Sequence, residues 1–208
     1  AVRLDRDYAM AHANLAALFQ RKGDLRAAEA AWRQVTRIRP DDAPAHARLG
    51  HLLASGWRAA EAEPVLRRAM ALDAEGAAPA RTLAWVLCRL NRPGEARAVA
   101  RGVLARRPDD LQASVVEALA LPVVYESAAD LAEARERYAR GLDGLLAGLR
   151  RFEADPAQAL ALAWENFTLA YQGGDDRPLQ EKYARFVSHL ARLASPRLSE
   201  ARPPRARP

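Results

Sequence analysis

AMAHANLAALFQRKGDLRAAEAAWRQVTRIRPDD (residues 9–42), APAHARLGHLLASGWRAAEAEPVLRRAMALDAEG (43–76) and AAPARTLAWVLCRLNRPGEARAVARGVLARRPDD (77–110) are consecutive segments that repeat one pattern at a constant offset of 34 residues. The seventh position holds Leu15, Leu49 and Leu83, and the eighth Ala16, Gly50 and Ala84. Phe19, Leu53 and Leu87 stand eleventh, Ala28, Ala62 and Ala96 twentieth, and Val35, Ala69 and Val103 twenty-seventh. Single matches mean little in an alanine-rich chain. Here the phase holds across three units without an insertion.

That spacing is the period of the tetratricopeptide repeat. Two short helices joined by a tight turn expose apolar stripes that neither can bury alone, so each pair must stack on its neighbours. Small residues at positions eight and twenty let paired axes approach, and Leu, Phe and Trp32 fill the gaps beside them. Gly23-Asp24, Gly56 and Asn91 to Gly94 read as the turns within the three units. Pro40 and Pro108, each followed by two aspartates, end one helix and supply acceptors for the next N-terminus. Pro64 falls inside a helix, but near enough to its start to cost about one backbone hydrogen bond. The expected fold is all-α: a right-handed tetratricopeptide superhelix followed by a helical adaptor.

Outward from this core the pattern changes. Residues 1–8 resemble Val35 to Asp42 and read as the end of a preceding repeat, part of a longer product. Residues 111–125 form a degenerate repeat or cap, since Glu117 stands where Leu is due and Leu121-Pro122 stops the helix early. Residues 126–195 read as a connector. Ser127 to Phe152 is its longest helical pattern, with Leu131, Ala134, Tyr138, Leu142, Leu145 and Leu149 on one face. A second helix is expected from about Pro156 to Tyr171. Gly173-Gly174 ends it, and a third starts after Asp175 or Asp176, burying Leu179, Tyr183, Phe186, Leu190 and Leu193. Residues 196–208 are a Pro/Arg-rich linker.

With 208 residues, 50% of them hydrophobic, the chain suffices for one helical array or two small domains. Aromatics make up only 6%, so the core should be built of Ala, Leu and Val. The net charge of +6 does not form a basic stripe: four arginines against Glu200 in the tail carry half of it. Nucleic acid is therefore not the expected partner. Cys88, the single cysteine, permits no internal disulfide and reads as a small buried thiol. Neither a membrane-length apolar run nor a signal-peptide core is present, so a cytoplasmic location is expected.

Four stretches of the connector go further: Leu121-Pro-Val-Val-Tyr-Glu-Ser127, Arg135-Glu-Arg-Tyr-Ala-Arg-Gly-Leu-Asp143, Asn166-Phe-Thr-Leu-Ala-Tyr-Gln-Gly173 and Asp176-Arg-Pro-Leu-Gln-Glu-Lys-Tyr-Ala-Arg185. Together they resemble the junction in bacterial Spindly-like proteins, which are similar to O-linked N-acetylglucosamine transferases. The resemblance covers the whole chain as that family's N-terminal half. It implies repeats that present acceptor proteins, a helical connector, and then a nucleotide-sugar-dependent transferase of two Rossmann-like lobes. The catalytic and nucleotide-binding residues of the family would lie beyond Pro208, so no catalytic, cofactor-binding or metal-binding residue is assigned here. The family grips extended peptides partly through asparagines at the sixth position. Asn14 matches, whereas Arg48, Thr82 and Val116 stand at the later equivalents.

First-helix positions five, six, nine, twelve and thirteen should line the concave face. They supply Asn14, Gln20, Arg21, Arg48, His51, Arg81, Thr82, Trp85 and Arg89 as a candidate peptide-binding groove. Any one of these residues alone reads as solvated helix surface. Together they suit an extended, somewhat acidic segment, with arginines pairing carboxylates and Trp85 as an apolar platform. His12 and His46 share the fourth position, which normally packs between helices and offers no third metal ligand. Asp175-Asp176 reads as a helix cap, not as a metal-binding pair. The leading functional expectation is the acceptor-presenting region of a protein O-glycosyltransferase, and the alternative is a freestanding scaffold that assembles proteins. An enzyme complete within these residues lacks its chemistry, because no nucleophile arrangement or phosphate loop is present.

Overall fold

Small side chains set how closely the helices of each pair lie, and the computed structural model shows this at every repeat. It describes residues 2–195 except 163, 165–167, 170 and 171, with side chains from Tyr8 onward. The helices are α1 (Val2–Lys22), α2 (Leu25–Ile38), α3 (Ala43–Ser55), α4 (Ala59–Leu72), α5 (Ala77–Arg89), α6 (Pro93–Leu104), α7 (Leu111–Leu119), α8 (Ala128–Ala147), α9 (Ala157–Ala161) and α10 (Arg177–Ala194). No strand occurs among the described residues. No described helix is long and apolar enough to cross a membrane. The chain forms two compact units, Ala1–Val99 and Ala100–Pro208. Their boundary falls inside α6.

In the first unit α1 packs on α2, α2 on α3, α3 on α4 and α5, and α4 on α5. Ala16, Ala28, Ala62, Ala84 and Ala96 are buried, and a Cβ on Gly50 would sit 2.6 Å from Leu66 Cδ2. Leu53, Leu66, Leu83 and Leu87 are fully buried. Each such side chain contributes about 1.5–3 kcal/mol by leaving water. Leu49 is buried like Leu83, but Leu15 is 43% exposed, because α1 packs chiefly on α2 whereas α3 has α2, α4 and α5 around it.

Three differences from the sequence reading stand out. Helix α1 runs unbroken from Val2, so no helix ends before Ala9. Leu4 to Tyr8 contains neither the proline nor the glycine that accompanies the later boundaries at Pro40 and Gly76. Asp42 and Asp110 do cap as expected, accepting from the N–H groups of Ala45 (3.0 Å) and Ala113 (2.9 Å). The second difference lies in the turns. The left-handed residue is the fifteenth of each unit: Gly23 (φ 77°), Trp57 (φ 64°) and Asn91 (φ 56°). Gly56 lies between α3 and α4 as expected, with an ordinary φ of −81°.

The third difference is a polar ladder that apolar matching does not reveal. Arg58 forks onto Glu61 through Nε and Nη2, both at 2.6 Å, and reaches back to Glu29 at 2.5 Å. Arg33 holds Glu29 at 2.9 Å. Thirty-four residues on, Arg92 forks onto Glu95 (2.6 and 2.8 Å) and reaches Glu63 (2.6 Å), while Arg67 holds Glu63 (2.9 Å). The same four-residue network thus ties α2 and α4 each to the following hairpin.

This ladder has an acid signature. Hydrogen bonds from Arg58 and Arg92 hold the Glu61 and Glu95 carboxyls below the usual glutamate range. Burial opposes ionisation of Glu29, but the Arg58 and Arg33 guanidiniums outweigh it and lower that carboxyl too. A depressed carboxylate stabilises the fold above its unfolded pKa, and that contribution is lost as pH falls through the folded value. The thermal midpoint should therefore decline below the ordinary glutamate value of 4.5. A Glu61→Gln/Glu95→Gln variant should show a shallower acid limb by circular dichroism. An identical limb in the variant would exclude the ladder as its source.

In the second unit α7 packs on α8, α8 on α10, and α9 on α10. Ala134, Tyr138, Leu142 and Leu145 of α8 meet Leu179, Phe186 and Leu190 of α10 in one core with Phe152 and Leu169. Ser127 caps α8 as expected, at 3.1 Å to the Asp130 N–H. The helix stops at Gly148, and Leu149–Phe152 tightens into a 3-10 turn. Of the second connector helix the described residues show α9. It ends at Leu162, whose ψ of 110° is extended, and Leu169 is buried in the core. The remainder of the Pro156 to Tyr171 expectation, at 163, 165–167, 170 and 171, and the linker at 196–208 lie outside the described residues.

Parts of the four connector stretches converge on one polar cluster. The Gln172 amide donates to the Tyr125 hydroxyl at 2.5 Å and accepts from Arg135 Nη1 at 2.9 Å. Arg135 also pairs with Asp176 at 2.6 Å and donates to the Asp175 carbonyl at 3.1 Å. Asp176 stands at the start of α10 but spends its carboxylate on Arg135, while Asp175 accepts from the Arg177 N–H at 3.1 Å. Such a network fixes three segments of one core, since losing any partner would strand half-buried polar groups. Of the third stretch, residues 166, 167, 170 and 171 lie outside the described residues.

Candidate functional site

Charge is sorted by helix in the first unit. From Tyr8 onward, α1, α3 and α5 carry no Asp or Glu at all, whereas Arg21, Lys22, Arg48, Arg81 and Arg89 all lie on them. The ladder carboxylates Glu29, Glu61, Glu63 and Glu95 lie on the second helices α2, α4 and α6. An anion approaching the first helices from Tyr8 onward therefore meets cations without an intrinsic counter-charge on those helices.

Two concavities open along these helices. One, of about 220 Å³, is lined by Gln20 of α1, Ala47, Arg48 and His51 of α3, and Ala78, Pro79 and Thr82 of α5. It brings together four of the nine expected groove residues from three successive repeats. The other, of about 630 Å³, is lined by Asn14 and Ala17 of α1, Trp32 and Val35 of α2, the Arg39 to Asp42 loop and Arg48. Asp41 and Asp42 make its rim mixed in charge, and Arg48 belongs to both.

Several expected residues are already engaged. Gln20 accepts from the Trp32 indole N–H at 3.2 Å, which leaves its amide NH2 as the part that can reach a ligand. Thr82 donates its hydroxyl to the Ala78 carbonyl at 3.1 Å and offers mainly a methyl and a lone pair. Arg48 lies 5.6 Å over the Trp32 ring. Arg21, exposed in the last turn of α1, and Arg81 of α5 line neither concavity. His12 lies edge-on to Tyr8, and His46 Nε2 is 3.1 Å from the Pro40 carbonyl, so separate partners occupy the two fourth-position histidines. Among the described residues no group of three or more His, Cys, Asp or Glu could hold a metal. Burial pushes the Cys88 thiol up to about 12, which keeps it protonated and unreactive near neutral pH.

Beyond Thr82 on α5 stand Trp85 and Arg89. The Arg89 guanidinium carbon lies 4.8 Å from the Trp85 ring centroid and 3.7 Å from that of Trp57. Trp57 was absent from the sequence expectation, which assigned the turn to Gly56. The 34-residue register from Gly23 to Asn91 marks it as the turn's left-handed residue. Glycine and asparagine take that conformation readily, but for tryptophan it costs roughly 1–2 kcal/mol. Trp57 is also 73% exposed.

Residues 52–121 match the family model described as tetratricopeptide repeat. No curated protein matches the chain. Among solved structures, an O-GlcNAc transferase variant from Thermobaculum terrenum is 30% identical, with a TM-score of 0.53, over 67% of this chain and 26% of its own. The chain thus spans about a quarter of that transferase's length. MamA from Desulfovibrio magneticus RS-1 is 15% identical with a TM-score of 0.62, covering 94% of this chain and 98% of its own. PilF from Pseudomonas aeruginosa is 17% identical with a TM-score of 0.58, covering 92% of this chain and 77% of its own. At those identities the last two speak for the fold alone. Register, buried small residues and structural likeness agree: this is an all-helical chain carrying tetratricopeptide repeats, the architecture of a protein-interaction module.

Proposed function

We propose that the chain is the non-catalytic, acceptor-presenting region of a protein O-glycosyltransferase of the Spindly or O-GlcNAc transferase type. The observation that carries this reading is the 30% identity to the Thermobaculum terrenum transferase over two thirds of this chain. The connector motifs add to it, since Tyr125, Arg135, Gln172 and Asp176 form one structural cluster. The repeats would hold an extended protein segment along α1, α3 and α5. A nucleotide-sugar domain would follow the chain, and the whole would act in the cytoplasm. A freestanding scaffold that assembles other proteins is the alternative, for which the repeats alone would suffice.

The coding sequence after Pro208 separates the two readings. A strand and helix alternation supports the transferase, and a stop codon the scaffold. The functional test is transfer from UDP-N-acetylglucosamine to protein by the full gene product. Asn14→Ala/Arg48→Glu should cut transfer to protein roughly tenfold through lost charge-assisted contacts, with donor hydrolysis retained. Equal transfer by variant and parent would remove the presenting role from this groove.

A further inference from the structure

Among the described residues, Arg89 is the one arginine of the first helices placed over two indole rings. Its faces are used by Trp57 and Trp85, at 3.7 and 4.8 Å, and among the described residues no carboxylate pairs with it. A guanidinium stacked on aromatic faces still has its N–H groups in the plane of the fork, where a carboxylate can take two at once. The stack also removes most of the side chain's freedom before any ligand arrives, so less is lost on binding.

The surroundings define the ligand's charge. Helices α3 and α5 bear no Asp or Glu, and Arg48 and His51 line the adjoining concavity with Thr82. From Thr82 to Arg89 is seven residues, about 10 Å along the helix. An extended peptide covers that distance in about three residues. The unfavourable backbone of Trp57 points the same way. Its counterparts in the neighbouring turns are Gly23 and Asn91, so the fold does not require an aromatic residue there.

We propose that Trp57, Arg89 and Trp85 form a carboxylate anchor, and that the groove's occupant is an extended peptide with a glutamate or aspartate seated on Arg89. This deepens the peptide-presenting reading and depends on it only for the groove, not for any transferase. Trp57 and Trp85 act as positioning residues, and Arg89 makes the contact. A negatively charged side chain elsewhere on the peptide faces Arg48, which gives the segment a direction.

An array of extended peptides, each paired with a copy in which Gln and Asn replace Glu and Asp, provides the test, read by fluorescence polarisation. The acidic member of a bound pair should bind roughly tenfold more tightly, a preference that Arg89→Gln abolishes and Arg89→Lys keeps only in part. Trp57→Gly should lower the preference while leaving the thermal midpoint unchanged or raised, which separates positioning from fold maintenance. Equal binding within pairs, no binding at all, or an acidic preference that survives Arg89→Gln would each overturn the anchor. Acid-selective binding without sugar transfer by the full gene product would sustain the anchor and refute only the transferase.

Discussion

Alanine at Gly141 should destabilise the second unit by about 2 kcal/mol, whereas alanine at Gly144, one turn along the same helix, should stabilise it by about 0.5–1 kcal/mol. A Cβ on Gly141 would lie 2.4 Å from the Ala118 carbonyl oxygen and 2.9 Å from its carbon, so the obstacle is the backbone of α7. No rotamer change relieves such a clash, and α7 must move away from α8. That disrupts the contact between Leu111, Val115 and Leu119 on one side and Tyr138, Leu142 and Leu145 on the other. Overpacking of this kind costs about 3 kcal/mol at the upper end of its usual range. Replacing glycine within a helix returns up to about 1 kcal/mol, and the clash wins. At Gly144 nothing lies within 4 Å of the added atom, so only the helix gain remains. Urea unfolding combined with hydrogen exchange over α7 and α8 reads both changes. Equal signs at the two positions would show that α7 and α8 do not touch at Gly141.

Removing the Phe186 ring should have the larger cost. Its side chain is fully buried on α10 and shares a core with Tyr138, Leu142, Phe152 and Leu169. Phe→Ala in such a setting costs about 3–5 kcal/mol, from lost transfer free energy and the cavity left behind. Few segments can collapse into that space, because three parts of the chain are pinned by the Tyr125, Gln172, Arg135 and Asp176 cluster. For a unit near a hundred residues, each 1 kcal/mol moves the midpoint by about 4–8 °C, so a fall of more than about 12 °C is expected. Phe186→Leu should cost under about 1.5 kcal/mol, since volume is nearly kept. A Phe186→Ala midpoint within a few degrees of the parent would mean that α10 does not complete this core.

Much of this was legible from residue order because it is periodic. Ala28, Ala62 and Ala96 recur at 34 and are all buried, and the α10 stripe of Leu179, Phe186 and Leu190 follows the helical interval. Local chemistry was legible for the same reason: the aspartates before α3 and α7, Asp42 and Asp110, reach the third N–H of each helix. The ladder of Glu29, Arg33, Arg58 and Glu61 carries the same 34-residue repetition as the alanines, but its signal is charge, which comparison of apolar positions passes over. Periodicity also placed Gln20, Arg48, His51 and Thr82 on one side of their helices, where they line one concavity. It could not show that Gln20 is tied to Trp32, because their contact depends on the distance between α1 and α2.

Residue order by itself determined the helix pairs of the repeats and the absence of Asp and Glu from α3, α5 and, from Tyr8 onward, α1, since these follow from spacing and side-chain type. Tertiary structure alone decided that Arg89 meets both Trp57 and Trp85, that α9 stops at Leu162, and that Gly141 is where two backbones meet. Each of these depends on the separation of segments far apart in the chain. Packing sets that separation through the shapes of all the side chains between them, and a linear pattern does not contain it.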